Sequence, residues 1–286
     1  MKLAGVQCDV ALGQPDKNLE RIEEFINQTA TEGADLTVFP ECALTGYCFE
    51  SEAEALPHAQ TIPGPFTDRL ATMCERHQTH VVCGLLEIHQ GKLFNTAVLV
   101  GPQNQVHPYR KIHLPFLGVD RFTTPGDRPF AVHSAGKANV GMNICYDGSF
   151  PESARCLTLL GADVVAMPTN WPQGAQCAAQ NIASCRAMEN GVYFIVVNRI
   201  GTEGDFSFIG QSQICDPGGK TIYRASENRE EVFFADIDPN RARQKHVVRV
   251  PQKHEIHRLA DRRPALYQPL TQTHTLTPPG RPHPHN

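Results

Sequence analysis

The chain is predicted to fold as an α/β protein in which mixed β-sheets are covered by helices. Two observations carry that prediction. Short apolar runs alternate with longer stretches whose apolar residues recur at helical spacing. Residues 1–267 also hold no internal repeat, Gly/Ser linker or charge block, so one domain spans the alternation.

The elements follow in order. Met1-Lys2-Leu3-Ala4-Gly5-Val6 is cut short by Asp9, so it reads as a first strand and not as an export signal. Residues 16–30 carry Leu19, Ile22 and Ile26 on one face, as a helix packed on a sheet requires. The run 36–39 is a buried strand ended by Pro40. A helix over 66–77, a strand over 80–86 and a hairpin turn at Gly91-Lys92 come next, then a strand over 95–100 that turns at Gly101-Pro102. A strand over 139–144 leads to a helix over 152–160, a buried strand over 163–167, a long helix over 175–189 and a strand over 192–198. Strands over 207–215, 221–224 and 232–237 close the pattern. Residues 268–286, rich in Pro, Thr and His, have no apolar period and are expected to be an irregular tail or an arm across a partner subunit.

The chemistry centres on Cys145, in Met142-Asn143-Ile144-Cys145-Tyr146-Asp147-Gly148-Ser149-Phe150-Pro151-Glu152. It falls where a strand stops and a helix is about to start, so the N–H groups that follow are free to face a substrate. Acyl transfer to a thiol needs that, because the developing oxyanion wants donors beside the attacked carbon. Glu41, delivered past Pro40 at the mouth of a strand, is placed to take the thiol proton. Lys111, in Tyr109-Arg110-Lys111-Ile112-His113-Leu114-Pro115, is placed to hold the oxyanion, with Arg110 as the rival cation.

In that order and those contexts, Glu41, Lys111 and Cys145 resemble the Glu-Lys-Cys triad of the nitrilase (carbon–nitrogen hydrolase) superfamily. The similarity extends through Asn95-Thr96-Ala97, Phe122, Pro125-Gly126-Asp127, Asn170-Trp171, residues 186–190, Asn198, Gly210-Gln211-Ser212 and residues 262–267. The resemblance implies a four-layer α-β-β-α sandwich of two sheets, and a homodimer or higher homo-oligomer. It implies a substrate pocket lined by Asn170 and Trp171; Tyr47, Asp120 and Tyr146 complete the substrate and oxyanion set, Tyr146 through its backbone N–H. Many members carry a further glutamate shortly after the lysine. Here Leu117-Gly118-Val119-Asp120-Arg121-Phe122 has none, and Asp120, one methylene shorter, is the candidate for that part. A charged Lys111 near Cys145 is expected to favour the thiolate.

Nitrilases proper usually follow the cysteine with Trp-Glu. Tyr146-Asp147 and Phe150-Pro151-Glu152 resemble instead the amidase and carbamoylase branches. The expected reaction is therefore hydrolysis of a small linear amide through a cysteine thioester, with an N-carbamoyl amine or amino acid as the alternative substrate. Transfer to an amine instead of water stays open. So does a different class altogether: a binding module, or a thiol sensor using Cys145 on the same fold.

Composition narrows the partners. A net charge of −4 without a basic block argues against nucleic acid; Arg241, Arg243, Lys245 and Arg249 are spaced as a solvated surface. No run is long and apolar enough for a membrane span. Ten cysteines with no export signal are expected as thiols in the cytoplasm. Cys8, Cys74, Cys83, Cys156 and Cys215 are expected as small buried hydrophobes. Cys42 and Cys48, even with His58 or His113, lack zinc spacing, so neither a metal nor another cofactor is expected. Arg186, Glu189 and Asn190 suit a structural ion pair on a helix.

Overall fold

The computed structural model describes residues 1–280. Its first half runs β1 (Lys2–Gln7), α1 (Pro15–Thr31), β2 (Leu36–Val38), a one-turn α2 (Glu52–Ala55), α3 (Pro65–His77), β3 (His80–His89), β4 (Lys92–Gly101) and β5 (Gln105–Arg110). The second half runs β6 (Val132–Ala135), β7 (Ala138–Met142), α4 (Pro151–Leu159), β8 (Val164–Pro168), α5 (Gln176–Asn190), β9 (Tyr193–Val197), β10 (Thr202–Glu203) and β11 (Phe206–Ser207). It closes with β12 (Gln213–Cys215), β13 (Thr221–Arg224), β14 (Glu231–Asp236), α6 (Pro239–Arg243), β15 (Val247–Val250) and β16 (His254–Ile256).

Two six-stranded sheets result, in the orders β14-β1-β2-β3-β4-β5 and β13-β12-β9-β8-β7-β6. Each has a parallel centre and antiparallel margins: β1, β2 and β3 are parallel, as are β7, β8 and β9. Strand alternation sorts the side chains of the first sheet. Leu3, Leu36, Val38, Val82, Ala97 and Leu99 share a cluster with residues of the second sheet. Val6, Val81, Cys83, Val98 and Val100 turn the other way, onto Ile22 and Ile26 of α1 and Phe66 and Leu70 of α3. Helices α4 and α5 cover the outside of the second sheet, through Ala154, Leu157, Ala179, Ala183 and Ala187. The molecule is thus a helix–sheet–sheet–helix sandwich, as the resemblance implied.

Most element ends shift by a residue or two from expectation. The turn between β3 and β4 puts Gln90 (φ 50) and Gly91 (φ 74) in the left-handed region, the geometry that matches strand twist in a two-residue hairpin. Three expectations need correction. The single strand over 207–215 is broken: Gly210 (φ 56) and Gln211 (φ 58) turn the chain between β11 and β12. Cys156 is exposed, on the outer face of α4, whereas Cys8, Cys74, Cys83 and Cys215 are buried. Lys245 is half-buried and donates to the carbonyls of Asn190 (3.2 Å) and Gly191 (2.8 Å), satisfying the end of α5. Burial brings its pKa down to about 8. Arg241 and Arg243 stay exposed but pair with Asp216 and Asp163. Residues 268–280 form one 3-10 turn (Gln268–Leu270) and otherwise no regular structure; the rest of the expected tail lies outside the described residues.

Candidate active site

Glu41, Lys111 and Cys145 each sit just beyond a strand end, where the backbone leaves its ladder and can aim side chains inward. Glu41 follows β2. Phe39 N–H donates to the Val82 carbonyl (2.8 Å) and Leu44 N–H to Gly84 (3.1 Å), so the turn lies flat against β3. Gly84 permits that approach: a Cβ there would stand 2.4 Å from Cys42 N and 2.8 Å from the Cα of Glu41. Lys111 follows β5 and is pinned on both sides, its N–H to the Asn95 carbonyl and its carbonyl to Gly126 N–H, each at 2.8 Å. Cys145 opens a 3-10 segment (Cys145–Ser149) beyond β7 with φ at 45°. A non-glycine residue in that region is strained, and it stays there only because its neighbours hold it.

At the centre the Lys111 ammonium lies between two carboxylates. Its Nζ is 2.6 Å from Glu41 Oε1 and 2.5 Å from Asp120 Oδ2, and all three side chains are fully buried. Asn95 joins the carboxylates from below, donating through Nδ2 to Glu41 Oε1 (2.7 Å) and to Asp120 Oδ1 (2.9 Å). Tyr47 OH donates to Asp120 Oδ2 at 2.8 Å. Glu41 Oε2 has no hydrogen-bond partner among the described residues. Glu41 thus has one oxygen engaged and the other without a partner.

Burial governs the titrations. It raises the Glu41 pKa, and the Asp120 charge adds to that while Lys111 opposes it. Burial alone would lower Lys111, but Asp120 and Glu41 outweigh it and hold its pKa well above the ordinary lysine value. Burial, then the Glu41 charge, pushes the Cys145 thiol up to about 12, with Lys111 pulling the other way. Lys111 thus favours the thiolate, as expected, but desolvation outweighs it. The resting thiol is neutral and needs a base.

Of the other sequence candidates, Asn170 is fully buried at the end of β8, and neither its Oδ1 nor its Nδ2 has a hydrogen-bond partner among the described residues. Its backbone hydrogen-bonds to Cys145, which places it beside the thiol. Trp171 is buried in the central cluster, its backbone N–H held by Asn198 Oδ1 at 2.8 Å. Tyr146 is exposed, and its N–H belongs to the first turn of the 3-10 segment, where donors lack partners within the helix. Arg110, the rival cation, points away into a buried pair with Glu87 and a further bond to Asp127. Arg186 pairs with Glu189 at 3.0 Å, as expected. Sequence reasoning missed Asn95 as a bridge between the carboxylates, and missed Tyr109, His113 and Asp147 around the turn. The only signal for them was their presence inside motifs already singled out. Among the described residues no three His, Cys, Asp or Glu side chains stand where they could hold a metal ion.

The carbon–nitrogen hydrolase family model matches residues 2–246. A nitrilase of Pyrococcus abyssi is 41% identical over 248 residues, covering 86% of this chain and 93% of the relative. An (R)-stereoselective amidase of a Pseudomonas species is 34% identical, covering 85% and 87%. A formamidase of Bacillus cereus is 30% identical, covering 80% and 70%. Among solved structures, a carbon–nitrogen hydrolase from Helicobacter pylori superposes with a TM-score of 0.81 at 23% identity, covering 96% of this chain and 98% of that one. An amidase from Nesterenkonia gives 0.77 at 24% identity, covering 94% and 99%.

Proposed function

The chain belongs to the carbon–nitrogen hydrolase family, and on that premise we propose that it hydrolyses a small linear amide to an acid and ammonia or an amine, with Cys145 as nucleophile. The observation that carries this reading is the buried ionic centre: one ammonium between two carboxylates, beside a neutral thiol and a carboxylate oxygen with no other partner.

Glu41 Oε2 takes the thiol proton as Sγ attacks the carbonyl carbon. A base with a raised pKa suits that transfer. Lys111 uses two N–H bonds on Glu41 and Asp120, which leaves the third for the substrate oxygen. With the Tyr146 N–H it holds the tetrahedral oxyanion. Protonated Glu41 then passes its proton to the leaving nitrogen, and the C–N bond breaks to give a thioester. Water, deprotonated by the same carboxylate, attacks the thioester and releases the acid and the thiol. Asp120 takes the part of the further glutamate, fixing Lys111 with help from Tyr47 and Asn95. Asn170, with donor and acceptor both uncommitted, is suited to read an amide, and Trp171 forms the apolar wall behind it.

A neutral amide is favoured over an N-carbamoyl amino acid because two carboxylates and one ammonium already leave the centre with a negative surplus. Relatives named amidase and formamidase support the same choice, as does a Nesterenkonia amidase mutant that carries the acetamide moiety of fluoroacetamide on its active-site cysteine. The 41% identical relative named nitrilase supports a second reading, nitrile hydrolysis at the same thiol. We assign the chemistry to residues 1–267, with 268–286 as a tail. We place the protein in the cytoplasm, in keeping with its ten unpaired thiols, and as a homodimer or larger homo-oligomer, in keeping with exposed Leu159, Leu160, Met188, Leu266 and Leu270.

Ammonia release from a panel of short aliphatic amides, N-carbamoyl amines and nitriles tests the proposal. Turnover of the amides first, absent in Cys145→Ala, is expected. Turnover of nitriles alone selects the second reading, and silence across the panel with sluggish alkylation of Cys145 overturns both in favour of a binding module.

A further inference from the structure

One buried carboxylate touches both the Cys145 and the Lys111 segments. Asp147 is fully buried, two residues beyond Cys145. Its Oδ2 accepts from Ile144 N–H (2.9 Å), the residue just before the nucleophile, and from Tyr109 OH (2.7 Å), two residues before Lys111. Its Oδ1 accepts from His113 N–H (3.1 Å) and lies 2.7 Å from His113 Nδ1, two residues after Lys111. Four donors thus converge on one side chain, drawn from both flanks of the lysine and from the start of the turn that bends at Cys145. Burial, reinforced by the Asp147 charge, holds the Tyr109 pKa well above the tyrosine range, so that hydroxyl stays a donor.

The clamp continues outward. The His113 ring stacks on Phe150 with centroids 3.7 Å apart, and Phe150 meets the Tyr146 ring edge-on at 5.1 Å. Phe150 ends the 3-10 segment that Cys145 begins. The turn is therefore gripped at its entry by Asp147 and at its exit by His113.

From these contacts we infer that Asp147, acting through Tyr109 and His113, is the positioning residue that registers the nucleophile turn against the lysine segment. The inference rests on the reading of Cys145 and Lys111 as partners in one reaction. The turn needs such a device: Cys145 sits at positive φ, so an unclamped turn would relax and carry Sγ and the Tyr146 N–H away from Lys111. Misplacement by about 1 Å costs on the order of 100-fold in rate, far more than it costs in binding.

The test uses Asp147→Asn, which keeps the shape but offers one acceptor oxygen where four donors need two. Two readouts apply: kcat and KM on the best amide, and the iodoacetamide alkylation rate of Cys145 against pH, followed on the tryptic peptide of residues 138–155, which contains no other cysteine. A kcat loss of roughly 10- to 100-fold with KM within about threefold is expected, together with a displaced alkylation profile and partial recovery in Asp147→Glu. Where Asp147→Asn does not fold, Tyr109→Phe removes a single donor, and a smaller kcat loss with the same displacement is expected. Wild-type kcat per folded molecule and an unshifted alkylation profile overturn the inference, whatever happens to thermal stability. Because alkylation needs no substrate, a failure of the amide reading leaves that arm intact and is told apart from a failure here.

Discussion

Replacing Asp120 with asparagine probes the ionic centre most sharply, because it deletes one charge and almost no volume. The wild-type carboxylate accepts from Lys111 and Tyr47 through Oδ2, and from Asn95 through Oδ1. An asparagine must turn its NH2 toward one of those donor pairs, so the variant gains a buried donor–donor conflict whichever way it faces. Removing one partner of a buried ion pair typically costs about 3–5 kcal/mol. Glu41 still neutralises Lys111, so the lower figure, about 3 kcal/mol, is expected, or a fall in Tm of roughly 6–12 °C. The second effect is electrostatic. Both carboxylates lie within 2.6 Å of the ammonium, so their nearest oxygens are at most about 5 Å apart. At an effective dielectric of about 20 their repulsion is on the order of 3 kcal/mol. Asp120 raises the Glu41 pKa, so its removal lowers it, and Glu41 then stays ionised to more acidic pH. The acid limb of kcat/KM should move to lower pH while the plateau falls at least about tenfold, since the base is weaker and Lys111 less well held. The pH profile of amide hydrolysis and a calorimetric scan measure both. An acid limb in its wild-type position, with Tm unchanged, would refute the coupling of Asp120 to Glu41.

Three further outcomes are expected. Glu41→Gln should keep the Asn95 and Lys111 contacts in part but remove the base, lowering kcat by about 10²–10⁴; pre-steady-state acylation at the wild-type rate would contradict it. Gly84→Ala puts a methyl 2.4 Å from Cys42 N and 2.8 Å from Glu41 Cα, and should displace Glu41 with a loss of about 100-fold in kcat and of about 1–3 kcal/mol in stability. Activity within threefold of wild type would show that the turn yields elsewhere. His107 of β5 and His133 of β6 stack at 3.9 Å, and burial lowers both pKa values. The unfolded chain therefore binds protons more readily. Stability is intact above the ordinary histidine value of about 6.5, falls as pH drops below it, and reaches its floor at the folded pKa values. A urea titration series should show that slope in the wild type and a reduced slope in His107→Gln.

Glu41 and Cys145 were legible because each sits in a short motif at a strand end, read from a buried apolar run stopped by Pro40 or by the turn at Cys145; Lys111 was legible from its motif alone, since the strand directly before it was not. Asp120 was legible only through the resemblance, as the acid standing in the stretch where many members of the family carry a further glutamate. Features formed by tertiary contact were not. β5 escaped notice because His107 and Pro108 interrupt its alternation; it is held by its six-residue pairing with β4 only once that hairpin folds. Gly210 was the one mark of the break between β11 and β12, and a lone glycine inside a strand pattern reads equally as a bulge; Gln211 at positive φ carries none. Asn95 stood in a recognised motif, yet its bridge between Glu41 and Asp120 spans 54 and 25 residues of chain. The upward push on the Cys145 thiol comes from burial, a quantity the motif around Cys145 does not encode.

The central claim is a covalent acyl intermediate on Cys145, and acid-quenched mass spectrometry during turnover of a short amide tests it directly. An added acyl mass on the peptide of residues 138–155 is expected, appearing within one turnover and absent in Cys145→Ala. Continued hydrolysis in Cys145→Ala, or an acyl mass on another residue, would contradict it.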